Sequence, residues 1–196
     1  MIFMCFVITL IIIYIAIYIY FDYQYANMTY VRSDIDNKFY LVQNRTDKQE
    51  ATNMLAKIMQ KITYLASNLY KKKEEYKDYK EYIERLYENV PNIILLESTE
   101  DSVYTSYSVN KGEQIVFCLR ARTDDNRLHD INLVMYVVLH ELSHVSNPIY
   151  DNHGPLFRKI FAFLTQRATE LGIYTKIDFS KVPTNYCGMI ITDSII

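Results

Sequence analysis

The chain opens on a run, Ile2 to Phe21, in which no position is charged; the first charged side chain is Asp22. A run of twenty residues without a polar stripe predicts a helix that is apolar all round, and about 20 residues is the length that crosses a bilayer. No basic segment precedes it and no small-x-small cleavage site falls between Tyr18 and Met28, so it reads as a retained anchor and not a cleaved signal peptide. Residues 23–46 are polar, rich in tyrosine and without clear periodicity, which predicts a juxtamembrane linker. From Asp47 the pattern becomes that of a folded domain. The expected division is a transmembrane anchor at 1–22, a linker at 23–46 and a domain at 47–196.

Within that domain, Met54, Leu55, Ile58, Met59, Ile62, Leu65, Ala66 and Leu69 recur at three- and four-residue steps, the spacing of one helix face. A second helical stretch presents Tyr76, Tyr79, Ile83, Leu86 and Val90, and Pro91 ends it because the residue before a proline disfavours helix. The pattern then shortens. Ile93 to Glu97, Ser102 to Val109 and Gln114 to Leu119 are rich in β-branched and aromatic residues, and Asn110-Lys111-Gly112 predicts a hairpin turn. Asp130 is placed to cap a helix over 131–145, which Pro148 terminates. Pro155 starts another helix with Phe157, Ile160, Phe161, Leu164 and Ala168 on one side, and Gly172 suits its C-terminal end. The uncharged part of the 131–145 helix, Ile131 to Leu139, is too short to span a membrane, which argues against an intramembrane site.

Composition narrows the classes. Of 196 residues 50% are hydrophobic and 22% charged, with a net charge of −2, so the chain carries no electrostatic footprint for nucleic acid. The run Lys71-Lys72-Lys73 reads as a solvated helix face. Of the three cysteines, Cys5 sits in the apolar run, so at most one internal bridge can form, between Cys118 and Cys187. The basic residues Arg32 and Lys38 follow the anchor and none precedes it, which favours a cytoplasmic domain. Two glycosylation sequons, at Asn27 and Asn44, point to the other side.

The chemistry concentrates at one place. His140-Glu141-Leu142-Ser143-His144 falls late in the apolar helix, and three of the chain's 4 histidines, counting His153, lie between positions 140 and 153. On a helix, i and i+4 share a face, so His140 and His144 can direct two imidazoles at one ion while Glu141 lies beside them as a base. A catalytic zinc takes three protein ligands and keeps one position open. The break at Pro148 lets the chain return, which makes His153 the candidate third ligand, with Phe157 packing inward to fix the next helix. His129 stands apart and reads as a surface or supporting histidine. Asp151 is a candidate acceptor for a ligand imidazole, Tyr186 or Tyr150 for an oxyanion donor, and Glu170 a substitute ligand should His153 point away.

The segment VVLHELSHVSNPIYDNHGPLFRKIF resembles the SprT-like (Spartan) and WLM group of zinc peptidases, in which HExxH is followed by a third histidine in an HGxxF-like context. The resemblance covers Ile131 to Leu171. It implies an α+β, zincin-like domain with N-terminal helices, a small antiparallel sheet, the HExxH helix and a following helix. It also implies Zn2+ at His140, His144 and His153, Glu141 as the catalytic residue, and substrate laid along an edge strand at Gln114 to Leu119. The expected function is a membrane-anchored, zinc-dependent metallopeptidase whose partners are a protein or peptide substrate and membrane lipid. Two other functions fit the same residues: a zinc-binding membrane scaffold without catalysis, and a protease for proteins crosslinked to DNA, the role tied to the group.

Overall fold

A computed structural model of the chain describes residues 2–110, 112–123, 125–149 and 152–196, with the side chains of residues 2–5 and 21–25 outside that description. Helix α1 (Ile2–Tyr25) comes first, and its described side chains, those of residues 6–20, are all exposed. Among the described residues no helix is long and apolar enough to cross a membrane.

The domain begins earlier than periodicity suggests. Residues 28–43, expected as part of a linker, form β1 (Met28–Arg32) and β2 (Phe39–Gln43), an antiparallel pair that is integral to the sheet. Their alternation is hidden because both faces of β2 carry apolar residues: Tyr40 and Val42 point into the core while Phe39 and Leu41 point away. Then follow α2 (Lys48–Lys71), α3 (Lys80–Asn89), β3 (Ile94–Glu97), β4 (Ser106–Val109) and β5 (Gln114–Phe117). The α2 stripe is core, as its spacing requires: Leu55, Ile58, Ile62, Leu65, Ala66 and Leu69 are all buried.

The α+β class holds, but the sheet is mixed and not antiparallel. Its order is β1-β2-β3-β5-β4, with β2–β3 and β3–β5 parallel and the two outer pairs antiparallel. The physical reason is the crossover: α2 and α3 lie between β2 and β3, and a helical return brings the next strand in parallel. The order also corrects the edge. Residues 114–117 are interior, held between β3 and β4, so the edge strand on this side is β4.

Two devices lock the domain. Glu97 and Arg120, both almost wholly buried, pair at 2.8 Å, while Arg120 Nη1 also reaches Asp47 at the start of α2. The second Glu97 oxygen accepts the Gln43 backbone N–H at 2.8 Å, so β2, β3, α2 and the segment after β5 meet at one ion pair. At the hairpin, Gly112 has φ +104, and an added Cβ would lie 2.5 Å from Val145 Cγ2. The turn therefore seats directly on the helix that bears the histidines.

That helix is α4 (Ile131–Ser146), capped where Asp130 accepts from the Asn132 backbone N–H and packed against α2, α3, β4 and α5 (Pro155–Glu170). A short hairpin, β6 (Thr184–Tyr186) and β7 (Met189–Ile191), closes the chain, and a Cys118–Cys187 disulfide ties it to the segment after β5. Replacing Arg120 with Met removes one partner of the buried pair and leaves Glu97 uncompensated. Denaturant unfolding should show a loss of about 3–5 kcal/mol, and an unchanged midpoint would contradict the role given to the pair.

Candidate metal centre

From Leu133 to Asn147 every residue is buried except His140 and His144. One helical stripe therefore reaches solvent, and it carries the two imidazoles. The helix stops at Ser146 because Asn147 is extended, as the residue before Pro148 tends to be. The chain returns through Asn152 to His153, and Pro155 at the first turn of α5 fixes the re-entry.

The three imidazoles meet. Nε2 of His144 lies 3.3 Å and Nε2 of His153 lies 3.0 Å from Nε2 of His140. All three candidate ligand atoms fall within 4.8 Å of one another. Ligands at about 2.0–2.1 Å around a tetrahedral zinc would be separated by roughly 3.3–3.4 Å. The donor set fits a cation on chemistry as well as distance, because three ring nitrogens facing one point repel unless positive charge sits among them. Burial, then the charges of His144 and His153, hold the His140 imidazole far below the usual histidine range, at about 3. The neutral imidazole that burial favours is the form that coordinates a cation.

Phe157 is the floor of this cluster. Its ring is buried and lies 4.8, 4.3 and 4.9 Å from the centroids of His140, His144 and His153. Glu141 sits one residue from His140 and is almost fully buried, and burial raises its carboxyl to about 7, against the opposing hydrogen bond from the Ser108 hydroxyl. The cleft these groups share has a volume of about 240 Å³ and is lined by Ser106, Tyr107, Ser108, Asn147, Ile149 and Asn152 with the histidines and Glu141.

Other expected residues fall elsewhere. Glu170 is bound to Arg167 Nη2 at 2.6 Å and takes no part in the cluster. His129 is half-buried against the Tyr186 ring, with Nε2 3.3 Å from Cys187 Sγ. Tyr186 is fully buried and its hydroxyl lies 2.8 Å from Ser106 Oγ, one side chain removed from the open cleft. Asp151 and Tyr150 lie outside the described residues. Ser106 and Ser108 are the functional candidates that periodicity missed. Their signal was present in the Ser-Tyr-Ser alternation of 106–108, which sends both hydroxyls to the face opposite Tyr107.

Phe157→Ala should cost about 3–5 kcal/mol of stability and weaken zinc binding, since all three rings lose their common support. Calorimetric titration of the metal-free protein checks the second effect, and undiminished affinity would show that the ring only fills space.

A family profile described as the WLM domain matches residues 34–182. An uncharacterised protein of Acanthamoeba polyphaga mimivirus is 43% identical over 171 residues, covering 87% of this chain and 86% of the relative. Another, from Invertebrate iridescent virus 6, is 35% identical over 86 residues, 42% of this chain and 44% of that protein. Among solved structures, Wss1 from Saccharomyces cerevisiae is similar with 24% sequence identity and a TM-score of 0.47, over 67% of this chain and 88% of that one. The profile spans strands β2 to β5, the histidine-bearing helix and the helix after it: the chain belongs to the WLM domain family, a zinc-dependent protease type.

Proposed function

We propose that this protein is a zinc-dependent metallopeptidase, tethered to a membrane by α1, that hydrolyses peptide bonds in protein substrates. The observation that carries the reading is the placement of a buried carboxyl, Glu141, beside three convergent imidazoles at the wall of one cleft. His140, His144 and His153 would hold the metal. Zinc there supplies a Lewis acid for the scissile carbonyl and brings the pKa of water down to about 7.

The protein's own residues do the rest. Among the described residues β4 pairs with β5 alone, which makes it the edge strand against which an extended peptide can lie. A strand added there runs past Ser106 and Ser108, whose side chains face the cleft. Glu141 takes a proton from the attacking water and passes it to the leaving amine. The Ser108 hydroxyl holds that carboxylate in place. Burial keeps the carboxyl basic enough to accept, since an ordinary exposed glutamate is a weaker base.

The tether rests on the uncharged run Ile2 to Phe21, which extends beyond the described side chains of α1. Twenty-four helical residues extend about 36 Å at 1.5 Å per residue, against about 30 Å of bilayer core. Every described side chain of α1 is exposed, so the domain leaves that surface uncovered.

Of the two alternative functions, proteolysis of proteins crosslinked to DNA is the one tied to the WLM family, and a zinc-binding scaffold is the other. A structural zinc site closes with four protein ligands, whereas the cluster found among the described residues has three. In the lysine-rich segment, Lys73 is bound to Glu84 and Lys80 to Glu74, so acids interleave the cations that a DNA role would need.

Glu141→Gln should retain about one zinc per chain, as a three-imidazole site requires, and lower kcat/KM on unfolded protein by about 10²–10⁴-fold. Retained cleavage would remove Glu141 from its role. The kcat/KM profile should fall on the acid side as the base becomes protonated, with an apparent pKa below 7 because the nearby cation favours the carboxylate. An acid limb unchanged in Glu141→Asp would assign that titration elsewhere.

A further inference from the structure

Among the described residues, α2 covers one face of the sheet, while the other meets α1 at Tyr20. Val42, Leu95 and Ile115 point to the core side, where α2 packs on β1, β2 and β3. The alternate residues point the other way, and register aligns them into a row across all five strands: Tyr30 opposite Leu41, then Leu96, Val116 and Tyr107. Beside the row, Phe39 and Ile94 extend the apolar surface, with Tyr30 67%, Phe39 66% and Ile94 53% exposed. Within the row Val116 is already buried and Leu41 and Leu96 are half-buried, so the exposed apolar surface is that of Tyr30, Phe39, Ile94 and Tyr107, and a patch of this kind marks a surface that something covers.

What covers it is indicated by α1. Only Ala26 and Asn27 separate the end of that helix from β1, so the strand starts within about 10 Å of it. Tyr20 of α1 comes down on this face and not on the helical layer, sharing a shallow cavity with Leu41, Leu96, Tyr104, Tyr107 and Val116. The apolar helix therefore leaves from the apolar side of the sheet. Tyrosine is also the side chain whose apolar body and polar tip suit the headgroup boundary.

We propose that this sheet face lies against the bilayer surface into which α1 inserts, an inference that rests on the reading of α1 as an anchor. The domain is then held flat and not on a free tether. The cleft bounded by the three histidines opens beside edge strand β4, which borders the open sheet face as well. Tyr107 lines both that cleft and the cavity on the open sheet face, while Ser106 and Ser108 line the cleft alone. A peptide paired with β4 runs along the membrane, so the favoured substrates are membrane-proximal segments of other proteins.

The chain has no tryptophan, which makes a single introduced one a clean reporter. Full-length Phe39→Trp and Ile94→Trp chains are reconstituted in phosphatidylcholine vesicles with or without bromine on the acyl chains. Tyr64→Trp serves as the control, because Tyr64 is exposed on α2 in the helical layer. Vesicle flotation is measured on the same samples. The expected result is flotation of all three, with loss of emission to brominated lipid at positions 39 and 94 and none at 64. Flotation without quenching at 39 and 94 overturns the docked face while leaving the anchor intact. Failure to float overturns the anchor and the docked face together. Emission at 39 that follows the protein-to-lipid ratio and ignores bromine assigns the face to a second copy of the chain, which also overturns the proposal.

Discussion

The burial of α4 is the constraint on which the site depends. A helix that is apolar on nearly every side must be enclosed, and here α2, α3, α5, β4 and the Gly112 turn enclose it. Only the stripe of His140 and His144 is left open. The two rings cannot swing away, because their helix has no freedom to turn. Glu141 is fixed by the same packing, and its removal from water is what raises its basicity. Ligand geometry and base strength thus have one physical source.

The third histidine has a different origin. His153 arrives on a loop, and its position depends on the stop at Asn147-Pro148, the start at Gly154-Pro155 and the Phe157 ring beneath all three imidazoles. Proline at both ends of the return shortens the list of conformations the loop can take. A flexible link would pay more entropy to bring the ring to the same point.

The metal cluster was the most legible part of the chain, since i, i+4 spacing and two prolines dictate it almost alone. Both helical stripes were legible for the same reason, as Leu55 and Ile58 in α2 illustrate. Strand pairing was not. β2 carries apolar residues on both faces, which removes the alternation that would reveal it, and β1 is too short and too exposed to signal burial. Which strand forms the edge is a matter of long-range pairing, so Gln114 to Phe117 and Ser106 to Val109 could not be ordered by local pattern. Ser108 owes its contact with Glu141 to that order, which the Ser-Tyr-Ser alternation alone does not supply.

The excess of tyrosine, 19 in 196 residues, also acquires a physical setting. Tyr20, Tyr30, Tyr104 and Tyr107 gather on or beside the open sheet face, and Tyr79 and Tyr76 pack on Phe163 in the helical layer. The central claim is the convergence of three ring nitrogens on one cation. X-ray absorption at the zinc edge of the full-length protein tests it most directly. Three imidazole nitrogens and one oxygen donor are expected at about 2.0–2.1 Å, reduced by one imidazole in His153→Ala. A shell containing sulfur, or one unchanged by loss of His153, would contradict it.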